Sequence, residues 1–491
     1  MSQTTPEQHN SALINFSIGE SGRTSGHLSN ALDDGYSAIA AKHGMEGAKL
    51  AAESHTFALK HVGDLSKELG IDCEYRLLPG YRISIYPKSD PKHNEQVKEL
   101  KDEVRIFRQL GMKADFKENY AVRGWDGTID QRDAAIFYDQ ATFHPTKYLI
   151  GILDWLKSQP NFSCYTHTRM VSCEENGIEV LGLGSKSVEV KTLDGHTISC
   201  KDAVQATCIP LQKLAVVAQE EYYRTYCIAI RVPKGYIEDC LIYDQNDPYH
   251  YTRLTACDKN EDYLVVGGED HKVGQESAEG RFEALEKWVR DRFTKAGSVD
   301  YKWSGQIFEP VDHMALIGPN QGNTHVYIAT GDSGNGLTHG VIAGKLLSDQ
   351  IFGIENKWSR LYDPKRIVSV AKSLPDMAMH DLQINAQYKR LLQSDLKDIE
   401  DLGRNDGGVI NPITSKPLAI YKDENGVIHK FSALCPHMKG VVCWNQAEKS
   451  WDCPVHGSRF SKEGIQVIGP AKAGLVPVNE KGDALQQAAK A

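Results

Sequence analysis

The stretch that decides the fold of the C-terminal part is residues 435–460, CPHMKGVVCWNQAEKSWDCPVHGSRF. It holds Cys435 and His437 two positions apart, then a spacer of fifteen residues, then Cys453 and His456 three positions apart. Two thiols and two imidazoles in two short loops form a metal-ligand set. The ligand types alone leave two sites open, which are a [2Fe–2S] cluster with mixed ligands and a tetrahedral Cys₂His₂ zinc site.

The spacing within each loop favours the cluster, because zinc sites seldom use Cys-x-His. The segment resembles the Rieske family, in which two thiolates hold one iron and two imidazoles hold the other. The resemblance implies one [2Fe–2S] cluster. Its ligands would be Cys435, His437, Cys453 and His456. Gly457-Ser458 would let backbone amides and a hydroxyl approach the cluster sulfurs and tune the potential.

The two loops depart from one branch of that family. Respiratory-type Rieske proteins carry an extra cysteine in each loop, and the two form a disulfide. Here those places hold Gly440 and Val455. The domain therefore resembles the ferredoxin-like and oxygenase-like Rieske domains, which tend toward lower potentials.

Bulk composition narrows the class of protein. A chain of 491 residues with 41% hydrophobic and 25% charged residues predicts two or three globular domains. With 56 Lys+Arg against 65 Asp+Glu and no basic stripe among aromatics, nucleic acid is not an expected partner. Residues 1–17, MSQTTPEQHNSALINFS, show no secretory pattern, and no apolar run reaches about 20 residues. We expect a soluble cytoplasmic protein.

Periodicity predicts the order of elements. Helical spacing runs from Gly35 to Leu69 and from 93 to 110, and again over 277–294. Residues 163–206 alternate as strands, with hairpin turns predicted at Asn176-Gly177 and Asp194-Gly195. The expected domains are a non-conforming segment 1–17, an oxidoreductase domain 18–362 with substrate-domain strands mainly over 210–310, a helical connector 363–402, the cluster domain 403–479 and a tail 480–491.

Four motifs carry a second resemblance. They are GESGRTSGHL at 19–28, FHPTKY at 143–148, DHMALIG at 312–318 and ATGDSGNGLTHG at 329–340. In combination they resemble FAD-dependent oxidoreductases of the D-amino-acid oxidase class, in particular the subgroup with a C-terminal Rieske domain. The resemblance implies an α/β, FAD/NAD(P)-binding Rossmann-like fold with an antiparallel substrate domain, followed by an all-β Rieske domain.

The same resemblance implies the residues that contact FAD. A strand that ends in a glycine-rich turn and opens a helix points backbone N–H groups at an electron-rich ring edge or a phosphate. The implied contacts are Arg23, Thr24, Ser25, Gly26, His27, Leu28, Met170, Gly331, Asp332, Gly334, Gly336, Leu337 and Thr338.

One expected motif is missing. The family begins with a strand and a G-x-G-x-x-G turn that binds the FAD pyrophosphate, and the sequence contains no complete copy, since Gly182-x-Gly184 lacks the third glycine. The first βαβ unit is therefore apparently absent. Three explanations are a truncated or misassembled start, a true variant that binds flavin weakly, and a relic with an inactive flavin domain. The order of the remaining motifs favours the first.

The two cofactors together predict a mechanism. Flavins take two electrons, whereas a Rieske cluster carries one at a time. We expect an enzyme that oxidises a small molecule, an amine or amino acid, and exchanges single electrons with a soluble donor or acceptor protein. Tyr251 and Arg253 are the candidate substrate contacts, through an aromatic side chain and a guanidinium suited to a carboxylate. The alternative is that Tyr251 packs on a sheet and Arg253 pairs with a local acid.

Two other functions compete. A mononuclear-iron Rieske oxygenase needs a 2-His-1-carboxylate domain after the cluster, and only 35 residues follow His456. A Rieske electron-transfer protein with a degenerate, flavin-free oxidoreductase domain would show cluster without flavin.

Overall fold

The computed structural model describes residues 19–129, 132–180, 183–210, 216, 219–366, 373, 378, 382–411 and 416–479. The six α-helices with printed bounds in these ranges are α1 Gly35–Glu68, α2 His93–Gln109, α3 Pro145–Lys157, α4 Arg281–Arg290, α5 Gly336–Ile351 and α6 Ser359–Tyr362. Short 3₁₀ turns lie at Glu20–Gly22, Gln387–Leu392 and Ile399–Asp401. No helix in these ranges is long and apolar enough to cross a membrane.

The strands of the oxidoreductase part are β1 His27–Leu28, β2 Arg76–Ile83, β3 Ala114–Lys117, β4 Ala134–Thr142, β5 Met170–Val180, β6 Leu183–Thr192, β7 Thr197–Cys200, β8 Ala203–Gln205, β9 Glu220–Pro233, β10 Leu241–Asp244, β11 His250–Ala256, β12 Glu261–Lys272, β13 Val299–Pro310, β14 Leu316–Pro319 and β15 Val326–Thr330. Those of the cluster part are β16 Asp406–Ile410, β17 Leu418–Lys422, β18 Ile428–Ser432, β19 Cys443–Asn445, β20 Ser450–Asp452, β21 Arg459–Ser461 and β22 Gln466–Ile468.

A nine-stranded sheet forms the substrate side of the molecule. Its order is β1-β4-β2-β10-β11-β12-β9-β13, with β3 on β4, and its pairs are antiparallel except β10 with β2. The predicted antiparallel region is thus confirmed, but strands from residues 27–142 extend it beyond the helix-rich pattern expected there. Alternating residues of β9 such as Ile228 and Ile230 pack against Leu285 and Trp288 of α4, which buries one face.

A smaller α/β layer lies beside this sheet. The strands β14, β15 and β8 form a three-stranded sheet in which β8 runs parallel to β15, and α1 packs on α5. The helix predicted over 35–69 is confirmed, with a kink where Gly44 has a φ of 73°. The predicted non-conforming segment 1–17 and tail 480–491 lie outside the described residues.

One turn prediction is wrong. Asn176 and Gly177 lie inside β5, paired with Ser187 and Lys186 of β6, so the hairpin closes further on, between Val180 and Leu183. The long ladder of this hairpin outweighs the local preference of the Asn-Gly pair for a turn. The turn at Asp194-Gly195 is confirmed, since it joins β6 to β7.

The C-terminal part is all-β, as expected. The strands β16–β18 form one antiparallel sheet and β19–β22 a second. Trp451, Phe460 and Tyr421 lie in the shared core, next to Cys435 and Cys453. This core places the two ligand loops at one end of the domain.

Candidate functional site: two cysteine–histidine loops beside a cavity

The structure brings the four predicted cluster ligands together from two loops. Cys435 and Cys453 are buried, and each thiol lies close enough to influence the pKa of the other. The rings of His437 and His456 lie with centroids 5.0 Å apart. Hydrogen bonds, first from Cys453 and then from the backbone amide of His437, outweigh burial and lower the pKa of the Cys435 thiol. Paired thiols on one side and paired imidazoles on the other fit a mixed-ligand [2Fe–2S] cluster.

Close packing holds the two loops in register. A Cβ on Gly440 would lie 3.3 Å from Cys453 Sγ and would overlap the side chain of Val455, so only glycine fits there. The backbone closes each loop, with Cys435 N donating to Gly440 O at 2.9 Å and Cys453 N donating to Ser458 O at 2.8 Å. Gly440 and Val455 therefore meet where respiratory-type domains have their disulfide.

A cavity opens between the large sheet and the turn that follows β15. Its empty space, including the part open to solvent at the mouth, is about 1010 Å³. It is lined by the loop 20–29, the strands β11 and β13, and the turn 332–337 that begins α5. The glycine-rich turn at the start of α5 suits an electron-rich ring edge or a phosphate.

The glycine turn is shaped by its neighbours. Gly331 has a φ of 67° and a Cβ there would lie 2.6 Å from Pro310. Gly334 has a φ of 73°, and a Cβ there would collide with the carboxylate of Asp33. The backbone therefore approaches the cavity without side chains in the way.

The predicted flavin contacts fall into two groups. Those that line the cavity are Arg23, Thr24, Ser25, His27, Asp332, Gly334, Gly336 and Leu337. The others do not line it. Gly26 packs on Arg253, Leu28 is in the core, Gly331 packs on Pro310 and Thr338 Oγ1 hydrogen-bonds to His55 Nδ1 at 2.8 Å. Met170 packs beside Cys173, Val188 and Val326 under the small sheet.

Of the two candidate substrate contacts, one lines the cavity and the other does not. Tyr251 lines the cavity, whereas Arg253 lies behind the loop 25–26. The Arg253 guanidinium donates to Ser25 O, and to Thr142 Oγ1 at 3.2 Å. It occupies the space left by the missing side chain of Gly26, and burial lowers its pKa to about 10.

Carboxylates lie in and around the cavity, a feature that the sequence motifs did not reveal. Tyr249 Oη donates to Asp33 Oδ2 at 3.1 Å, and both residues line the cavity. Burial, followed by the charge of Asp34, raises the pKa of Asp33 to about 6. Burial raises the pKa of Asp270 to about 7, and that of Asp332, beside Glu20, also to about 7.

The cavity and the cluster loops share a wall. Gln306, in β13, lines the cavity, and its Nε2 donates to Gly457 O at 2.9 Å. Gly457 directly follows His456, one of the predicted cluster ligands. A Cβ on Gly457 would lie 2.7 Å from Gln306 Nε2, so this approach requires glycine. One hydrogen bond thus separates the cavity lining from the cluster loop.

A buried ion cluster flanks that contact. Glu448 Oε2 accepts from Arg23 Nη1 at 2.9 Å and also lies 3.4 Å from Arg459 and 3.6 Å from Arg224. Arg459 in turn pairs with Asp452 at 3.3 Å. Because Arg224 is fully buried, these opposite charges hold the cluster domain against the oxidoreductase domain.

Family models match both parts of the chain. The model described as FAD dependent oxidoreductase matches residues 15–350, and the Rieske [2Fe-2S] domain model matches residues 395–479. Among curated proteins, the putative Rieske 2Fe-2S iron-sulfur protein YhfW of Bacillus subtilis is 25% identical over 437 residues, which are 87% of this chain and 80% of that protein. The cytochrome b6-f complex iron-sulfur subunit of Nostoc punctiforme is 33% identical over 81 residues, 16% of this chain and 45% of that subunit.

Solved structures share the fold of the larger part. Glycine oxidase from Geobacillus kaustophilus has a TM-score of 0.56 at 14% identity and covers 72% of this chain and 95% of its own. L-amino acid deaminase from Proteus vulgaris has a TM-score of 0.51 at 17% identity and covers 71% of this chain and 85% of its own. With a matched family model over most of its length, the chain belongs to the FAD-dependent oxidoreductase family and carries a C-terminal Rieske domain, so it is an oxidoreductase whose two domains imply FAD and one [2Fe–2S] cluster.

Proposed function

We propose that this enzyme oxidises a small molecule at a carbon next to nitrogen, an amine or amino acid, and moves the electrons one at a time through its Rieske cluster. FAD, when bound, accepts two electrons from such a carbon, and the cluster carries them singly. The observation that supports this coupling is the hydrogen bond from Gln306 to the carbonyl of Gly457, between the cavity and the loop of His456.

Hydrogen bonds hold the cavity loop against β13. Glu20 Oε2 accepts from the backbone N of Gln306 at 2.7 Å, which ties the start of the cavity loop to β13. Trp303 Nε1 donates to Arg23 O at 2.8 Å at the same edge. These contacts fix the loop and strand that face the cluster domain, so the distance between the two sites is set by a rigid wall.

A soluble electron partner completes the proposal. His437 and His456 are only half-buried, and Met438, next to His437, is 42% exposed. A partner protein that contacts this end of the domain would lie close to the imidazole ligands. The direction of net electron flow depends on whether the partner protein donates electrons or accepts them.

The test uses the purified full-length protein with flavin and iron quantified per chain. The amine or amino acid is added without oxygen, and the flavin and cluster absorption bands are followed separately. We expect flavin bleaching followed by cluster bleaching. Iron without flavin, or flavin bleaching that never reaches the cluster, would contradict the proposal.

Two glutamine variants test whether electron transfer to the cluster depends on the contact between Gln306 and Gly457. Gln306→Leu removes the contact with Gly457 and should slow cluster bleaching about tenfold, a barrier change of about 1.4 kcal/mol. Gln275→Leu is the matched control, because Gln275 Nε2 donates to Pro454 O at 3.1 Å in the same loop but does not line the cavity. Equal slowing in both variants would mean that general docking, not the Gln306 contact, sets the rate.

A further inference from the structure

We propose that the cavity takes a cationic amine without a carboxylate group, bound between Asp33 and the tyrosines of β11 and its flanking turn. This inference rests on the proposed function and names its substrate class.

Acidic residues outnumber basic ones in the lining. Asp33, Asp332 and Glu20 line the cavity, against Arg23 as the single arginine or lysine in the described ranges. A carboxylate substrate would add another negative charge to this group, whereas an ammonium would be attracted by it.

The guanidinium in the described lining is already paired with an acid of the cluster domain. Arg23 is the one arginine or lysine that lines the cavity in the ranges 19–129 and 219–366, and its Nη1 donates to Glu448 Oε2 and to Ser304 O. Arg253 lies behind Gly26 and is bonded to Ser25 O. Burial, followed by the charge of Arg253, lowers the pKa of His27 to about 3, so this ring is neutral.

Aromatic rings line the same end of the cavity. Tyr249 and Tyr251 have ring centroids 5.6 Å apart, and the His27 ring meets Tyr251 edge-on at 5.1 Å. Tyr243 lies 5.7 Å from His27 on the other side. Tyrosine faces near a carboxylate suit an ammonium and its adjacent CH₂ groups through cation–π and apolar contact.

A buried acceptor points to a bound donor. Gln306 Oε1 has no hydrogen-bond partner in the described residues, although its side chain lines the cavity and the residue is about 5% exposed. Leaving such an atom unpaired is costly, so a ligand N–H is the complement that it requires.

The oxidation of an amine in this cavity can be written in balanced steps. The ammonium first loses a proton, for which the Asp33 carboxylate is in position. The neutral amine then gives up the carbon-bound hydrogen with its electron pair, for which FAD is the oxidant, and a proton from nitrogen. The imine product is hydrolysed by water to a carbonyl compound and ammonia, and the two electrons leave singly through the cluster to an external one-electron acceptor.

The experiment compares pairs of compounds that differ only by a carboxylate, namely phenethylamine with phenylalanine and putrescine with ornithine. Binding to the holoprotein is measured by thermal shift without oxygen, and flavin bleaching is recorded in parallel. We expect the amines to raise the melting temperature and the amino acids not to. Stronger binding by the amino acids, or no shift with any of the four, would overturn the inference.

The two readouts separate this inference from the proposed function. Bleaching by the amino acids alone would leave the oxidase chemistry standing and defeat the amine assignment. Amine binding without bleaching by any compound would support the assignment and contradict the function. Asp33→Asn should weaken amine binding at least about tenfold, whereas Asp34→Asn, whose carboxylate pairs with His313 at 2.8 Å outside the cavity lining, should weaken it far less. Equal effects of the two variants would contradict a contact role for Asp33.

Discussion

Arg23 Nη1 lies 2.9 Å from Glu448 Oε2, and this ion pair joins the lining of the flavin cavity to the sheet that supports the cluster. Glu448 is also the shared partner of Arg459 and of the fully buried Arg224. A single carboxylate thus lies among three guanidinium groups at the boundary between the two domains, and Asp452 supplies a second negative charge to Arg459.

Glu448→Gln should therefore destabilise the protein by roughly 3 kcal/mol, because the buried Arg224 and Arg459 lose one of their counter-charges and retain Asp452. The free energy of unfolding from urea titration measures this. Glu463→Gln is the control, since Glu463 is exposed and lies 3.8 Å from Lys462. A loss of the same small size in both variants would show that the ion cluster contributes little.

Two cysteines ten positions apart should behave differently toward iron. Cys453→Ser removes a predicted cluster ligand, so the protein should lose most of its iron and its cluster absorption. Cys443→Ser should retain both, because the Cys443 thiol donates to Gly274 O at 2.9 Å and lies outside the ligand set. Iron analysis and the absorption spectrum measure both properties. Retention of iron by the Cys453 variant would refute the ligand assignment.

His250 should make stability depend on pH. Burial lowers its pKa, but hydrogen bonds with Asp244 and Glu269, each at 3.0 Å, raise it to about 9. The folded state therefore holds this proton more tightly than the unfolded state, and the stabilisation present below about pH 6.5 is lost as the pH rises through about 9.

His250→Asn should thus lower the free energy of unfolding by roughly 2–3 kcal/mol at pH 6, and by clearly less at pH 10. Urea titrations at the two pH values measure the difference. His196→Asn, on an exposed imidazole paired with Asp194, should show no such trend. A loss that stays constant with pH would mean that His250 acts by packing on Trp288 alone.

Substitution of Glu220 should have the opposite effect and raise the free energy of unfolding at high pH. It is fully buried, burial raises its pKa to about 8, and its Oε1 accepts from Thr330 Oγ1 at 2.8 Å. As the pH rises from about 4.5 through 8, the folded state must ionise a buried acid, and stability falls. Glu220→Gln should be more stable than the parent by roughly 2–3 kcal/mol at pH 9 and little changed at pH 5. Thermal unfolding at both pH values, with exposed Glu279→Gln as control, provides the check, and a stability gain that does not grow with pH would contradict it.

The spacing of cysteine and histidine within two short loops predicts the cluster ligands, and the structure brings those loops side by side, with Cys435 near Cys453 and His437 near His456. The sequence could not place Arg253. Strand alternation puts Tyr251 and Arg253 on the same face of β11, but the direction of the guanidinium depends on the space above Gly26, which lies in the loop before β1, more than 200 positions away in the sequence. Gln306 carried no motif, since its role comes from a contact with a residue 151 positions away. Asn176-Gly177 was misjudged because strand pairing over a long ladder outweighs two residues of turn preference.

The packing of Gly440 against Val455 has a practical consequence. All eleven cysteines lie in the described ranges and none forms a disulfide there, so the two cluster loops meet by van der Waals contact and each loop is closed by backbone hydrogen bonds. A thiol reductant therefore finds no bond to cut in the cluster-binding end of the molecule. Dithiothreitol or glutathione, which would reduce a disulfide between two such loops, should leave the geometry around these ligands unchanged.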